Sequence, residues 1–246
     1  MFFNELDMLD LRLHEHTYVD KFVIVEGTKT FSGLDKELYF DNNKHLFKEF
    51  EDKIIHLVVD DMPIEGSAWD RERHTLNAIK RLRIKDDDIV LIGAVDEIIK
   101  KVYPGLNRYK TKLFYYYFNH AVVHLDGKPV WNEVVCSVDG ATLSKYSVFE
   151  ILNERLKNVL DFTVRERGGW HFSCVGSPDF IRQKIESWSH QEFNTEEMKS
   201  SVERKIKEHK YLFGDDQFKI VRVDLDNSFP KYLSNNKERF KEYIDV

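Results

Sequence analysis

The chain has 246 residues, 42% of them apolar and 33% charged, with a formal net charge of -6. That is enough apolar material for one large folded domain or two small ones, and the acidic balance argues against a duplex nucleic-acid partner, which needs clustered Lys and Arg. No stretch reaches the ~20 apolar residues of a membrane span, no basic-then-apolar leader opens the chain, and Cys136 and Cys174 form neither a CxxC pair nor a disulfide framework.

In chain order, "NELDMLDLRLHEH" (4–16) predicts a helix, with Asn4 as cap, Asp7 three residues on, and Leu6, Leu9 and Leu13 on one face. The "HEH" at 14–16 is not HExxH, and its histidines read as solvated. "KFVIVE" (21–26), "KIIHLVVDD" (53–61) and "DIVLIG" (88–93) predict strands. Leu76, Ile79 and Leu82 recur at helical spacing in a helix over 69–83. Nearly uninterrupted apolar strands around a helix predict a mainly parallel sheet covered on both faces. Acids or glycine end three of these strands, at the edge where open α/β sheets bind ligands.

The second half reads differently. "KLFYYYFNHAVVHL" (112–125) and "WNEVVCSV" (131–138) predict an antiparallel hairpin through "DGKP". A Ser147/Glu150 capping box begins a helix in "SVFEILNERL" (147–156). Residues 164–188 predict strand, loop and helix, with Ser177 as cap, Pro178 at the first helical position, and Ile181, Ile185 and Trp188 on one face. Asn194 and Glu197 open another helix, "FKIVRVD" is a strand, and Pro230 opens the last helix. One compact two-part α/β unit over 1–246 is the expectation.

Three segments carry candidate chemistry. "AVDE" (94–97) sets Asp96 and Glu97 at a strand end. Paired acids there can hold a divalent cation against two phosphates, although short acid pairs also simply end strands. "GGWHFS" (168–173) offers two glycines for close backbone approach, the flat face of Trp170, and His171 as metal ligand or phosphate donor. A histidine satisfied within a strand is the commoner case. Asp179, in the first turn of a helix, complements the helix dipole or serves as a general base. "VEGTKTFSG" (25–33) could hold a base or ribose but matches neither phosphate-loop nor dinucleotide spacing. The alternating aromatics "FYYYF" (114–118) give one core face and one face able to stack on sugar rings.

Taken together, "FFNELDMLDLRL", "VDKFVIVEGTKTFSG", "VDEI", "GGWHFS" with "KIESWSHQEFNT", and "PKYLSNNKERF" resemble glycosyltransferase family 17, in the expected order along the whole chain. That family includes β-1,4-mannosyl-glycoprotein β-1,4-N-acetylglucosaminyltransferases. The resemblance implies a GT-A-like nucleotide-diphospho-sugar fold, with a donor half over 1–105 and an acceptor half over 106–246. It implies inverting transfer of GlcNAc from a UDP-GlcNAc donor to a glycan acceptor, with Mn2+ or Mg2+. In that frame Asp96 is the metal ligand, joined by His171. Glu26, Thr30, Ser32, Ala94, Trp170 and His171 lie on the donor side, and Glu97 or Asp179 is the base. The family pattern has an acid where this chain has Ala94 and a proline where it has Ile99, and the pair before "NAI" is Thr75-Leu76 here. Loss of the acid at 94 weakens metal or ribose binding, so a degenerate member that only binds sugar nucleotide or glycan is the alternative. Without an anchor, a cytoplasmic bacterial or viral enzyme is the expectation, or else the trimmed catalytic domain of a Golgi enzyme.

Overall fold

The computed structural model describes residues 2–153, 159–213 and 217–246. Apolar side chains three and four residues apart give α1 (Leu6–Glu15) a face that buries Leu9 and Leu13 along with Met8 and Leu11. Asn4 does not cap it. Glu5 stands at the cap position, its Oε2 accepting from the Phe3 and Asn4 N–H groups, and Asn4 Nδ2 donates to Gln183 Oε1 at 2.7 Å. Nor are both histidines of "HEH" solvated. His16 is 1% exposed, with Nε2 2.9 Å from the Ile99 carbonyl, and the His14 ring stacks on Tyr232.

β1 (Phe22–Gly27) and β2 (Ile54–Val59) pair in parallel as a two-stranded sheet, Phe22 opposite Ile54 and Gly27 opposite Val59. α2 (Tyr39–Asn43) and a 3-10 segment over Lys44–Phe50 make the crossover and bury Phe40, Phe47 and Phe50. α3 (Ala68–Asn77) starts at a Ser67/Asp70 capping box and passes into a 3-10 turn over Ala78–Arg81.

The parallel arrangement ends there. The remaining strands are β3 (Ile89–Ile92), β4 (Glu97–Ile99), β5 (Asn107–Tyr115), β6 (His120–His124), β7 (Trp131–Asp139), β8 (Thr163–Ser173) and β9 (Phe218–Arg222). They form a seven-stranded sheet of order β3-β7-β5-β6-β9, with β8 beside β5 and β4 beside β8. Every pairing in it is antiparallel except β5 with β8. The expected GT-A-like, mainly parallel sheet is therefore not what forms. β3 turns away from β1 and β2 and pairs with β7, Ile89 opposite Asp139 and Ile92 opposite Cys136. A continuous apolar run reports burial on both faces, whichever way the neighbouring strand points.

The aromatic run over 112–125 is also two strands. Tyr116 takes φ 71°, the chain folds back, and Phe114 of β5 comes opposite Ala121 of β6. No glycine or proline signals that turn. Tyr116 Oη instead secures it by donating to the Lys210 carbonyl at 3.0 Å.

α4 (Gly140–Lys145) and α5 (Val148–Leu152) follow, α5 with the expected Ser147/Glu150 box. Residues 154–156 of that predicted helix lie outside the described residues. α6 (Pro178–Ser187) is capped by Ser177 as expected, and α7 (Glu196–Lys207) by Thr195 rather than Asn194. α8 (Lys231–Asn235) starts after Pro230. One core packs α1 and α8 against Ile98, Phe114, Phe118 and Phe172, and a second packs Ile181, Ile185 and Val202 of α6 and α7 against Leu113 and Tyr115.

Candidate functional site

The turn between β3 and β4 is braced from two directions. Glu97 Oε2 accepts from the Ala94 N–H at 2.6 Å. Arg12, on α1, donates from Nη1 to the carbonyls of both Ala94 and Glu97 at 2.5 Å. β4 is pressed onto β8, with Glu97 opposite His171 and Ile99 opposite Gly169. A Cβ at Gly169 would lie 2.1 Å from the Ile98 carbonyl oxygen, so this glycine admits the β4 backbone rather than a ligand.

Asp96 emerges from that brace 4% exposed. Its Oδ2 receives Lys184 Nζ of α6 at 3.1 Å, and the same Nζ lies 3.3 Å from Glu5 Oε1. Its Oδ1 makes no hydrogen bond among the described residues and faces His171 Nε2 at 3.8 Å. Burial pushes the Asp96 carboxyl up, but the charges of Lys184 and His171 outweigh it and hold it below the ordinary value. Burial would lower Lys184, yet Asp96 and Glu5 raise it. The Glu97 carboxyl is raised, first by burial and further by Asp96, with His171 and Arg12 opposing. Asn132 Nδ2 lies 2.9 Å from His171 Nδ1. With the amide so placed, Nδ1 accepts and Nε2 carries the proton towards Asp96; turning the Asn132 amide over would free Nε2 as a ligand.

Next to this pocket lies a cleft of about 270 Å³, lined by Phe3, Thr30, Lys36, Tyr39 and Gln183 among others. Thr30 reaches it from the loop after β1, with Ser32 Oγ 2.8 Å from its Oγ1. Lys36 Nζ sits over the rings of Phe3 and Tyr39. Gln183, one residue before Lys184 on α6, faces this cleft, accepting from Asn4 Nδ2 and donating to Tyr39 Oη at 3.2 Å.

Other predicted positions lie elsewhere. Glu26 is 0% exposed and fully engaged by Lys36 Nζ, His56 Nε2 and the Phe40 N–H. Trp170 is buried in the main core, under Lys100 Nζ. Asp179 is exposed, paired with Arg182 at 2.6 Å, and five residues from Lys184, which is roughly 140° around the helix. The structure thus brings together Ala94, Asp96, Glu97 and His171, sets Thr30 at the adjoining cleft with Ser32 bonded behind it, and leaves Glu26, Trp170 and Asp179 outside the pocket. Sequence reasoning missed Arg12, Lys184 and Glu5. Arg12 and Glu5 sit inside the quoted "NELDMLDLRL" block, so their signal was present.

A second group, also missed, can hold a metal ion. His120, His209 and Asp245 place ligand atoms within 4.8 Å of one another. Nothing in sequence spacing connects them. They sit apart from Asp96: Asp96 hydrogen-bonds at Phe172, Phe172 lies opposite Phe114, and Phe114 lies opposite Ala121. Three strand steps amount to roughly 14 Å.

No helix among the described residues is long and apolar enough to cross a membrane. No curated protein and no solved structure matches the chain. Residues 1–108 match the model of glycosyltransferase family 17, so the stretch that supplies Glu5, Arg12, the cleft loop and the Asp96 turn is shared with that family.

Proposed function

We propose that the chain is an inverting glycosyltransferase that moves a sugar, GlcNAc from UDP-GlcNAc by the family resemblance, onto a glycan acceptor. The observation that carries the reading is the unpartnered, buried Asp96 Oδ1 facing His171 Nε2, next to Lys184 and a polar, aromatic cleft. The cleft is of a size and polarity to take part of a nucleoside, with the Thr30 hydroxyl and the Gln183 amide on its walls and Phe3 and Tyr39 beside Lys36. Lys184 suits the diphosphate.

A divalent cation fits this pocket in a limited way. Asp96 Oδ1 and His171 Nε2 would hold it, Ala94 adds no ligand, and Lys184 already neutralises Oδ2. Such an ion would need further oxygen ligands from substrate and water. Once bound it supplies charge stabilisation to the leaving diphosphate. Of the two proposed bases, Glu97 shares the pocket wall and has a raised carboxyl, whereas Asp179 lies outside the pocket and is paired with Arg182.

The competing reading, a degenerate member that binds without transfer, draws support from Ala94 and from the occupation of Asp96 by Lys184. One experiment separates the two: thermal melts with UDP, UDP-GlcNAc and a GDP-sugar, with and without Mn2+, beside product analysis with a glycan acceptor. A ligand at 100 times its Kd stabilises by about 2.7 kcal/mol. Stabilisation by the uridine compounds with sugar transfer supports the enzyme, and stabilisation without transfer supports the binding module. No shift with any nucleotide refutes a donor site at Asp96.

A further inference from the structure

The group formed by His120, His209 and Asp245 is built with more care than a chance meeting of side chains. His120, on β6, is 0% exposed, its Nε2 lies 2.9 Å from Asp245 Oδ2, and its Nδ1 has no hydrogen-bond partner among the described residues. Asn119, 4% exposed, holds the Asp245 backbone from both sides: Nδ2 donates to the Asp245 carbonyl at 2.7 Å, and Oδ1 accepts from the Asp245 N–H at 2.9 Å. The Asp245 carboxylate is thereby aimed at His120. His209, between α7 and β9, takes φ 52° at the end of α7, where its N–H donates to the Ile206 carbonyl and the Lys210 N–H donates to the Lys205 carbonyl, so the helix cap fixes its position. Its carbonyl accepts from the Ile220 N–H at 3.2 Å, and its ring centroid lies 4.8 Å from that of His120.

We propose that His120, His209 and Asp245 bind a borderline transition-metal ion, Zn2+ or Co2+ in class, at a site separate from the donor pocket, clasping β6, the α7–β9 connection and the segment after α8. Two donors bonded at about 2.1 Å to one tetrahedral ion stand about 3.4 Å apart. The 2.9 Å separation of His120 Nε2 and Asp245 Oδ2 would open by roughly 0.5 Å, and ligand atoms now up to 4.8 Å apart would close by roughly 1.4 Å, to seat all three groups on one ion. Two imidazoles with one carboxylate favour zinc, cobalt or nickel. A water fills the fourth position.

The test is calorimetric titration of chelator-treated full chain with Zn2+, with Co2+ visible absorption as the second readout. Wild type is expected to bind one equivalent saturably and to show intense tetrahedral Co2+ bands. His209→Asn keeps a residue at ease with positive φ, and Asp245→Asn keeps an acceptor for His120. Both are expected to fold, by circular dichroism, yet to bind at least tenfold more weakly and lose the cobalt bands. Absence of saturable binding in wild type, or its retention in either variant, overturns the assignment. UDP-dependent stabilisation, measured alongside, reports on the donor site independently.

Discussion

Replacing Lys184 by methionine removes the cation that lies between two buried carboxylates. Asp96 Oδ2 and Glu5 Oε1 lie 3.1 and 3.3 Å from Nζ, with side chains 6% and 10% exposed. Breaking a buried pair by deleting one partner costs about 3–5 kcal/mol, because the remaining charge stays desolvated. At 2–4 °C per kcal/mol for a chain of this size, the melting temperature at pH 7 should fall by roughly 10 °C. The pH dependence carries a sign. In wild type the Asp96 carboxyl is depressed below its ordinary 3.8, so its contribution is fully present above that value and is lost only as pH falls through the folded pKa. Without Lys184, burial dominates and the carboxyl rises above 3.8; protonation then relieves the variant as pH drops. Urea melts followed by circular dichroism from pH 7 to 4 should therefore show the gap between variant and wild type narrowing. A gap under about 1 kcal/mol at pH 7, or one that stays constant to pH 4, would refute the ion-pair argument.

His16, held neutral by burial and by Arg12 with its pKa lowered to about 3, should make the fold acid-sensitive. Below pH 6.5 the unfolded chain takes up a proton that the folded chain refuses, so about 2 kcal/mol is lost by pH 5, and His16→Gln should flatten that decline in melts at pH 7 and pH 5. Gly169→Ala drives a methyl group into the Ile98 carbonyl and should cost about 3 kcal/mol or more in a urea melt while detaching β4 from β8. A near-neutral result would show that β4 is not pinned there. Ala94→Asp adds a carboxylate beside Asp96 and should tighten Mn2+-dependent UDP binding on the order of tenfold. No gain in affinity or turnover would mean that the alanine is not what limits the site.

Much of the local architecture was legible in the sequence. Ser177 followed by Pro178, and Ser147 with Glu150, marked helix starts that side-chain-to-backbone bonds enforce locally. The apolar runs marked β1, β2 and β3, and "VDE" marked the turn that carries Asp96. The family match over residues 1–108 takes in "FFNELDMLDLRL", "VDKFVIVEGTKTFSG" and "VDEI" but not "GGWHFS", "KIESWSHQEFNT" or "PKYLSNNKERF", which the resemblance had also drawn on. Strand direction was not legible, because alternation and apolarity describe what covers a strand and not where its neighbour comes from. Only the assembled sheet joined β3 to β7 and turned Tyr116 into a reversal. The candidate sites divide in the same way. Asp96 and His171 announced themselves as residue types in distinctive blocks. Lys184 as the partner of Asp96, and the meeting of His120, His209 and Asp245, join residues at separations of about 35 to 125 positions. Contacts of that kind leave no periodic trace in a sequence, since the strands and helices that carry each residue, and not its chain neighbours, set its distance from the others.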